Sequence, residues 1–563
     1  MMKQSDDRVG TDRPPLPWHR RHRVPLLLGV SALLLNFYAM MWGLPNLWDV
    51  AADSVVPNGV LASRTRDFGR LTAYRYPPFH FDLLRIVFIP ADAVSRAFFQ
   101  NNPKLQATAY IWSARLVSSL MGAGIVLGVF FLTLRLFGQT SAVFASLLVA
   151  LSPVTQYYSK NANLDVPYVF WLALTFLAIS RFFAGKSSRC LIWAALAAVL
   201  AVCTKDQAYG CLVLFAVPAF MVIRHRRSNW RSAIQDRSLW LSLVAAGLAF
   251  VLIHRLPFDP KGFLRHVRVI VGPGSEGWRE VTSGPVGQLR LLSESALRLT
   301  DAITPMGLAL IVFGVGRAFA KRQGRWLLWS PLGYWLTFLA VIGYVYPRYT
   351  LPLIASLAPF FGFGTSRIWN WRPLGRPVGP VLAAIVLAWP ALICGMVLYD
   401  MDFDTRRQAQ YWIEEHIPAN RRIGFLGDQR DMPRFNRAEL IAERVRLVHG
   451  RYVLVDPYED GKQAPDEPAS ARAFEPDVLV TSEERFGEMP PSPLNPSLWV
   501  LHHLGTWGRL PSTPMRHASD GGEAAYPGFR RAVVFRPRFG RYIPDVSPSF
   551  SRVISIYLPV EKP

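Results

Sequence analysis

Apolar runs of about 15–22 residues recur through the first four hundred positions, near 25–43, 108–134, 140–158, 165–184, 190–204, 207–223, 238–256, 303–320, 326–345, 349–366 and 378–399. A run of that length is what an α-helix needs to cross a hydrocarbon layer of about 30 Å, where each backbone N–H and C=O must find its partner inside the segment. About eleven such runs make residues 25–399 an α-helical polytopic membrane domain. Composition agrees, because 51% of the 563 residues are hydrophobic and 13% aromatic, more apolar material than one soluble core can use.

Lys+Arg outnumber Asp+Glu by 62 to 39, a net charge of +23. In a soluble chain this would suggest nucleic acid. Here the basic residues come in short bursts between apolar runs, the pattern of cytoplasmic loops, so no nucleic-acid partner is expected. The basic residues 1–24 place the N-terminus in the cytoplasm. The first run is about twenty residues long and has no small-x-small cleavage site, so it reads as a retained span and not as a signal peptide.

With that start, "RLFGQ", "RFFAGKSSR", "RHRRSNWR", "AKRQGR" and "SRIWNWRPLGR" all fall on the inner side, as alternation requires. The outer side receives large loops at 44–107 and 257–302, and residues 400–563. That tail changes character: "RRQAQYWIEEHIP" is patterned as an amphipathic helix, and "RIGFLGD", "YVLVD", "DVLVT", "LWVLHHL" and "AVVFRP" as strands. A C-terminal α/β extracytoplasmic domain is the expectation.

Four cysteines, Cys190, Cys203, Cys211 and Cys394, lie in or beside apolar runs without zinc spacing or scaffold density, and no His/Asp/Glu cluster has ligand spacing. No metal and no cofactor are expected. "VGPGSEGW" lacks the Gly-Lys-Ser/Thr ending of a phosphate loop and reads as an outer loop.

The chemistry gathers where the spans emerge on the outer side. "GLPNLWDVAADSVVP" carries Asp49 and Asp53, "AYRYPPFHFDLL" carries Tyr76, His80 and Asp82, and "YYSKNANLDVPY" carries Lys160 and Asp165. "TKDQ" contributes Lys205 and Asp206, and "YPRY" contributes Arg348 and Tyr349. Taken singly, each has a plain structural reading: a snorkelling cation, a packed histidine, or Asp165 as a helix cap with Pro167 just inside. Together they put cations, acids and aromatics at one membrane level, as a site at the lipid–water boundary requires. A sugar carried on a polyprenyl phosphate suits that place. Its transfer needs a base for the acceptor hydroxyl and fixed positive charge for the departing phosphate.

The order of "RYPPFHFDLL", "ARLVSSLMG", "KNANLDVPYVFW", "TKDQ" and "YPRYTLPL" resembles the polyprenyl-phosphate-sugar-dependent membrane glycosyltransferases of the protein O-mannosyltransferase and aminoarabinose-transferase type, over roughly residues 20–400. The resemblance implies a GT-C-like fold and a polyprenyl-phosphate sugar donor. The acceptor would be a lipid, a glycan or a protein, and the location a bacterial inner membrane. It implies Asp53 as the catalytic base, with Asp49 in reserve, and Lys205 and Arg348 as donor-phosphate ligands. Tyr76, His80, Lys160, Asp165 and Tyr349 would shape the site. The family often writes the base as Asp-Glu, whereas Ser54 follows Asp53 here. Single displacement with one base predicts inversion at the sugar carbon. A transporter or flippase of lipid-linked saccharide is the alternative, and a non-catalytic scaffold is a third.

Overall fold

The structure is a computed structural model and describes residues 18–46, 60, 76–185, 187–227, 229–271, 279, 281–373, 376–427, 431, 433–437, 439–448, 451–454, 473–483, 526, 529–539 and 552–560. The principal helices are α1 (Trp18–Phe37), α2 (Phe79–Phe98), α3 (Pro103–Phe137), α4 (Gln139–Leu151), α5 (Pro153–Tyr158), α6 (Asp165–Phe183), α7 (Arg189–Thr204), α8 (Ala208–Leu212), α9 (Ala216–Arg226), α10 (Arg237–Ile253), α11 (Pro260–Val271), α12 (Pro285–Ile303), α13 (Pro305–Lys321), α14 (Leu351–Trp369) and α15 (Val378–Asp402). Short helical turns fill most of 325–350.

Each apolar run thus falls mainly on a helix or a chain of short helices. Among the described residues, six helical stretches are long and apolar enough to cross a membrane, or seven if the bent pair α12–α13 is one span. The chain is a membrane protein, and the positions of the runs agree better than their number. One reason is that several runs are broken. The run at 140–158 divides at Ser152–Pro153: Pro153 has no N–H to continue α4, the Ser152 hydroxyl accepts from Thr155 N at 3.4 Å, and Gln156 Nε2 donates to the Ala150 carbonyl at 2.8 Å. The first run also ends early, since α1 stops at Phe37 and residues 38–46 form turns.

Small residues let the helices approach. A Cβ on Gly314 of α13 would lie 2.0 Å from the Phe360 carbonyl oxygen, one on Gly364 2.5 Å from that of Leu310, and one on Gly362 2.1 Å from that of Ser141. The carbonyls are backbone atoms that cannot step aside, so the close approach of α14 to α13 and α4 at these points requires glycine. Gly362→Val should cost about 1–3 kcal/mol or more by overpacking. A lower thermal midpoint of the detergent-solubilised protein checks this; an unchanged midpoint refutes the close crossing.

The two large loops expected at 44–107 and 257–302 contain helices. They are α2 in the first and α11 and α12 in the second, each with an apolar and a polar face. In α2, Phe81, Leu84 and Phe88 are buried together with Tyr110 and Ala114 of α3. Asp82 pairs with Arg255, beyond the end of α10, at 2.7 Å.

The tail folds as a helix on a mixed sheet. Helix α16 (Thr405–His416) is followed by β1 (Ile423–Leu426), β2 (Ala442–Val448), β3 (Arg451–Leu454), β4 (Val478–Glu483), β5 (Phe529–Phe535) and β6 (Val553–Pro559), in the order β3-β2-β1-β4-β6-β5. β1 runs parallel to β2 and β4; the other pairings are antiparallel. Alternation puts Ile423, Phe425, Val478, Val480, Ile554 and Ile556 on the face that packs Ala409 and Ile413 of α16. Four of the five expected strands are present, while "LWVLHHL" lies outside the described residues. β2 and β6 are additions; in "AERVRLV" both faces carry a buried residue and a charged one, so no clear alternation marks the strand.

Candidate functional site

The site is built from three chain breaks at one end of the bundle. Asp165 opens α6, and its backbone N–H donates to Asn163 Oδ1 at 2.8 Å. Leu164 is the N-cap and makes no side-chain cap bond, and the Asp165 carboxylate turns to another partner. That partner is Lys205, just beyond α7, whose Nζ lies 2.6 Å from Asp165 Oδ1. Gln207 Nε2 reaches the same oxygen at 3.4 Å. Asp165 is buried and Lys205 nearly so, which sets this contact apart from a surface ion pair. The ring of Tyr168, three residues along α6 and so on the same face, lies with its centroid 5.9 Å from Lys205 Nζ.

The third break is the single turn Pro347–Thr350 that precedes α14. It carries Arg348, whose guanidinium carbon lies 4.8 Å from the centroid of Tyr346 and 5.6 Å from that of Tyr349. The ionisable groups acting most strongly on Arg348 are Asp165, Tyr349, Tyr158 and Tyr76, and Lys205 in turn feels Arg348. Tyr349 donates or accepts at 3.3 Å with the Tyr344 hydroxyl. Arg348 Nε is buried and has no hydrogen-bond partner among the described residues. A buried guanidinium N–H left open is costly unless something acceptor-rich meets it.

Lys205, Asp165, Arg348 and Tyr349 stand at this end of the bundle, with Tyr76 within electrostatic reach of Arg348. Lys160 and His80 do not join them. Lys160 is fully buried with its Nζ 2.6 Å from Gln156 Oε1, a local contact one helical turn back that satisfies the ammonium where it stands. His80 sits among Phe81, Leu84 and Phe88 of α2, and burial pushes its imidazole down to about 3. The ring is neutral and buried, and its Nδ1 has no hydrogen-bond partner among the described residues. Asp49 and Asp53 lie outside the described residues.

Sequence reasoning missed His266, whose Nε2 is 3.1 Å from Asp206 Oδ1, tying α11 to the residue after Lys205. It also missed Tyr168, although i, i+3 spacing from Asp165 was a usable signal. Among the described residues, no group of three His, Cys, Asp or Glu side chains could hold a metal ion.

Residues 105–254 match the family described as dolichyl-phosphate-mannose-protein mannosyltransferase. The matched segment runs from α3 past α10 and includes Asp165 and Lys205, so this part of a polytopic membrane chain is related to membrane glycosyltransferases. Two solved structures are similar at low identity. ArnT from Cupriavidus metallidurans bound to undecaprenyl phosphate shares 18% identity at a TM-score of 0.44, over 69% of this chain and 72% of that one. The archaeal oligosaccharyltransferase AglB from Archaeoglobus fulgidus, in complex with an inhibitory peptide and a dolichol-phosphate, shares 13% at a TM-score of 0.41, over 73% of this chain and 63% of that one. No curated protein matches the chain.

Proposed function

We propose that this protein is an inverting glycosyltransferase that moves a sugar from a polyprenyl-phosphate donor to a lipid, glycan or protein acceptor at the outer face of a bacterial inner membrane. The observation that carries the reading is the buried cluster of Lys205, Asp165 and Arg348 with its open Nε, ringed by tyrosines at the end of the helices. The donor phosphate would meet Arg348 Nε and displace part of the Asp165 contact to Lys205. The acceptor oxygen attacks the anomeric carbon, the bond from that carbon to the phosphate oxygen breaks, and its electron pair stays on the lipid phosphate. Asp53 takes the hydroxyl proton and returns it to water. Fixed cations need no reorganisation as charge grows on the leaving group, which is where most of such stabilisation arises.

Transport of a lipid-linked saccharide is the second reading, favoured by the broken helix at Ser152–Pro153 and the 107° bend between α12 and α13. One experiment separates the two. Purified protein is incubated with labelled polyprenyl-phosphate sugars and crude acceptor fractions, and in parallel reconstituted into vesicles with the same donors. Label appearing in acceptor supports transfer. Movement of donor across the bilayer without transfer refutes it.

A further inference from the structure

Trp42 stands where three parts of the molecule meet. It lies in the turns after α1, is 2% exposed, and its Nε1 donates to Asp404 Oδ2 at 2.8 Å, at the start of α16. Asp404 is gripped in turn by Arg406, whose Nε and Nη2 lie 3.0 and 2.7 Å from its two oxygens, and the Arg406 guanidinium covers the Trp42 ring at 5.3 Å. Behind it, Arg406 and Arg552 approach Asp431 at 3.8 and 3.6 Å, and Ser482 Oγ on β4 donates to Asp431 at 2.7 Å. The sheet is therefore wired to this carboxylate.

On the membrane side, Arg115 of α3, 1% exposed, donates to the carbonyls of Met40 and Trp42 at 2.6 and 2.7 Å and fixes the turn. The Trp42 ring meets Tyr157 edge-on at 5.7 Å, and Tyr157 meets Tyr158 at 5.0 Å. Helix α5, which carries Tyr157 and Tyr158, packs against the Pro347–Thr350 turn that carries Arg348. A chain of contacts thus runs from the C-terminal sheet through Asp404, Trp42 and Tyr157 to the turn that carries Arg348. Asn46, the last described residue of the turn, is held separately to Gln410 of α16 at 2.8 Å.

Burying two arginines and two aspartates almost completely is an expensive way to join a sheet to a bundle, since apolar contacts of the same volume would serve stability as well or better. What such a network supplies is one fixed geometry, because its hydrogen bonds are satisfied in a single arrangement. We infer that Trp42, held by Asp404 and Arg406, is a positioning residue that couples the C-terminal region to the Arg348 cluster. The inference rests on the proposed transfer only for its kinetic readout.

The test uses full-length protein with whichever labelled polyprenyl-phosphate sugar the wild type turns over, comparing Trp42→Phe, Asp404→Asn, their double variant and Arg406→Lys. Misplacement of bound groups should lower kcat about 10- to 100-fold while the KM for donor and the binding of undecaprenyl phosphate stay within about twofold. The double variant should be no worse than the poorer single, since both cut one path. Unchanged kcat in folded variants, or a loss that follows loss of folded protein, overturns the inference. Hydrogen–deuterium exchange of residues 153–160 gives a readout free of catalysis: Asp404→Asn should accelerate it, and unaltered exchange also overturns the inference. If the wild type transfers nothing while exchange responds, the proposed function fails and the coupling stands.

Discussion

Asp53→Asn should lower turnover about 10²–10⁴-fold while leaving binding of undecaprenyl phosphate within about twofold of wild type. Asparagine keeps the size and most hydrogen bonds of aspartate but cannot accept the acceptor's proton, so a general base is lost and little else. On the proposed reading, binding of the lipid phosphate would depend on the cations at the bundle end and not on this acid, so the two quantities should part company. Asp49→Asn, four residues earlier, should be nearly silent. Equal turnover by Asp53→Asn and wild type removes Asp53 from the role, and loss confined to Asp49→Asn transfers the role there. The proton balance of the step requires some acid near the acceptor, so silence at both positions would argue against the transfer chemistry itself.

The second large effect is expected at the cations. Arg348→Met should weaken undecaprenyl phosphate binding and lower kcat/KM by about 10²–10³-fold, the usual cost of removing one fixed electrostatic donor. Methionine keeps much of the apolar stem that packs on Tyr346 and Tyr349, so the loss is that of charge and of the open Nε. Lys205 differs because it is already paired. Lys205→Met leaves the Asp165 carboxylate buried without its 2.6 Å partner, and Asp165→Asn leaves Lys205 likewise; each single change should destabilise by about 3–5 kcal/mol. The double change Lys205→Met/Asp165→Leu removes both charges together and should recover much of that stability without recovering activity. Thermal melting with and without lipid phosphate reads both quantities. A double variant that regains turnover would show that Lys205 only balances Asp165.

Much of this architecture could be read from the chain. The apolar runs had to become helices because a bilayer core offers no other partner for backbone polar groups, and the Pro-Arg-Tyr, Lys-Asp-Gln and Asn-Leu-Asp stretches had to sit at helix ends because charge is cheapest there. Local pattern did not reveal the amphipathic helices α2, α11 and α12 inside the loops, whose apolar faces are too narrow to stand out by length. Nor could it separate Lys160 from Lys205. Both follow an apolar helix and both are largely shielded, yet Gln156 one turn away satisfies the first, while the second reaches forty residues back to Asp165. That difference depends on the packing of α6 against α7.

Trp42 and Asp404 show the same limit over a longer distance. In the sequence one is an aromatic at the end of a span and the other a helix-starting acid, and nothing links positions 362 residues apart. By itself, then, the sequence determined a polytopic helical chain with a folded tail and the short list of polar residues that reach the end of the bundle, because periodicity and the cost of charge in lipid act locally. Only the tertiary structure decided which of those residues meet, that the Asp165 carboxylate turns to Lys205, and that Trp42 joins the start of α16 to Tyr157. Those outcomes depend on competition among partners brought together by packing, and no local pattern encodes that competition.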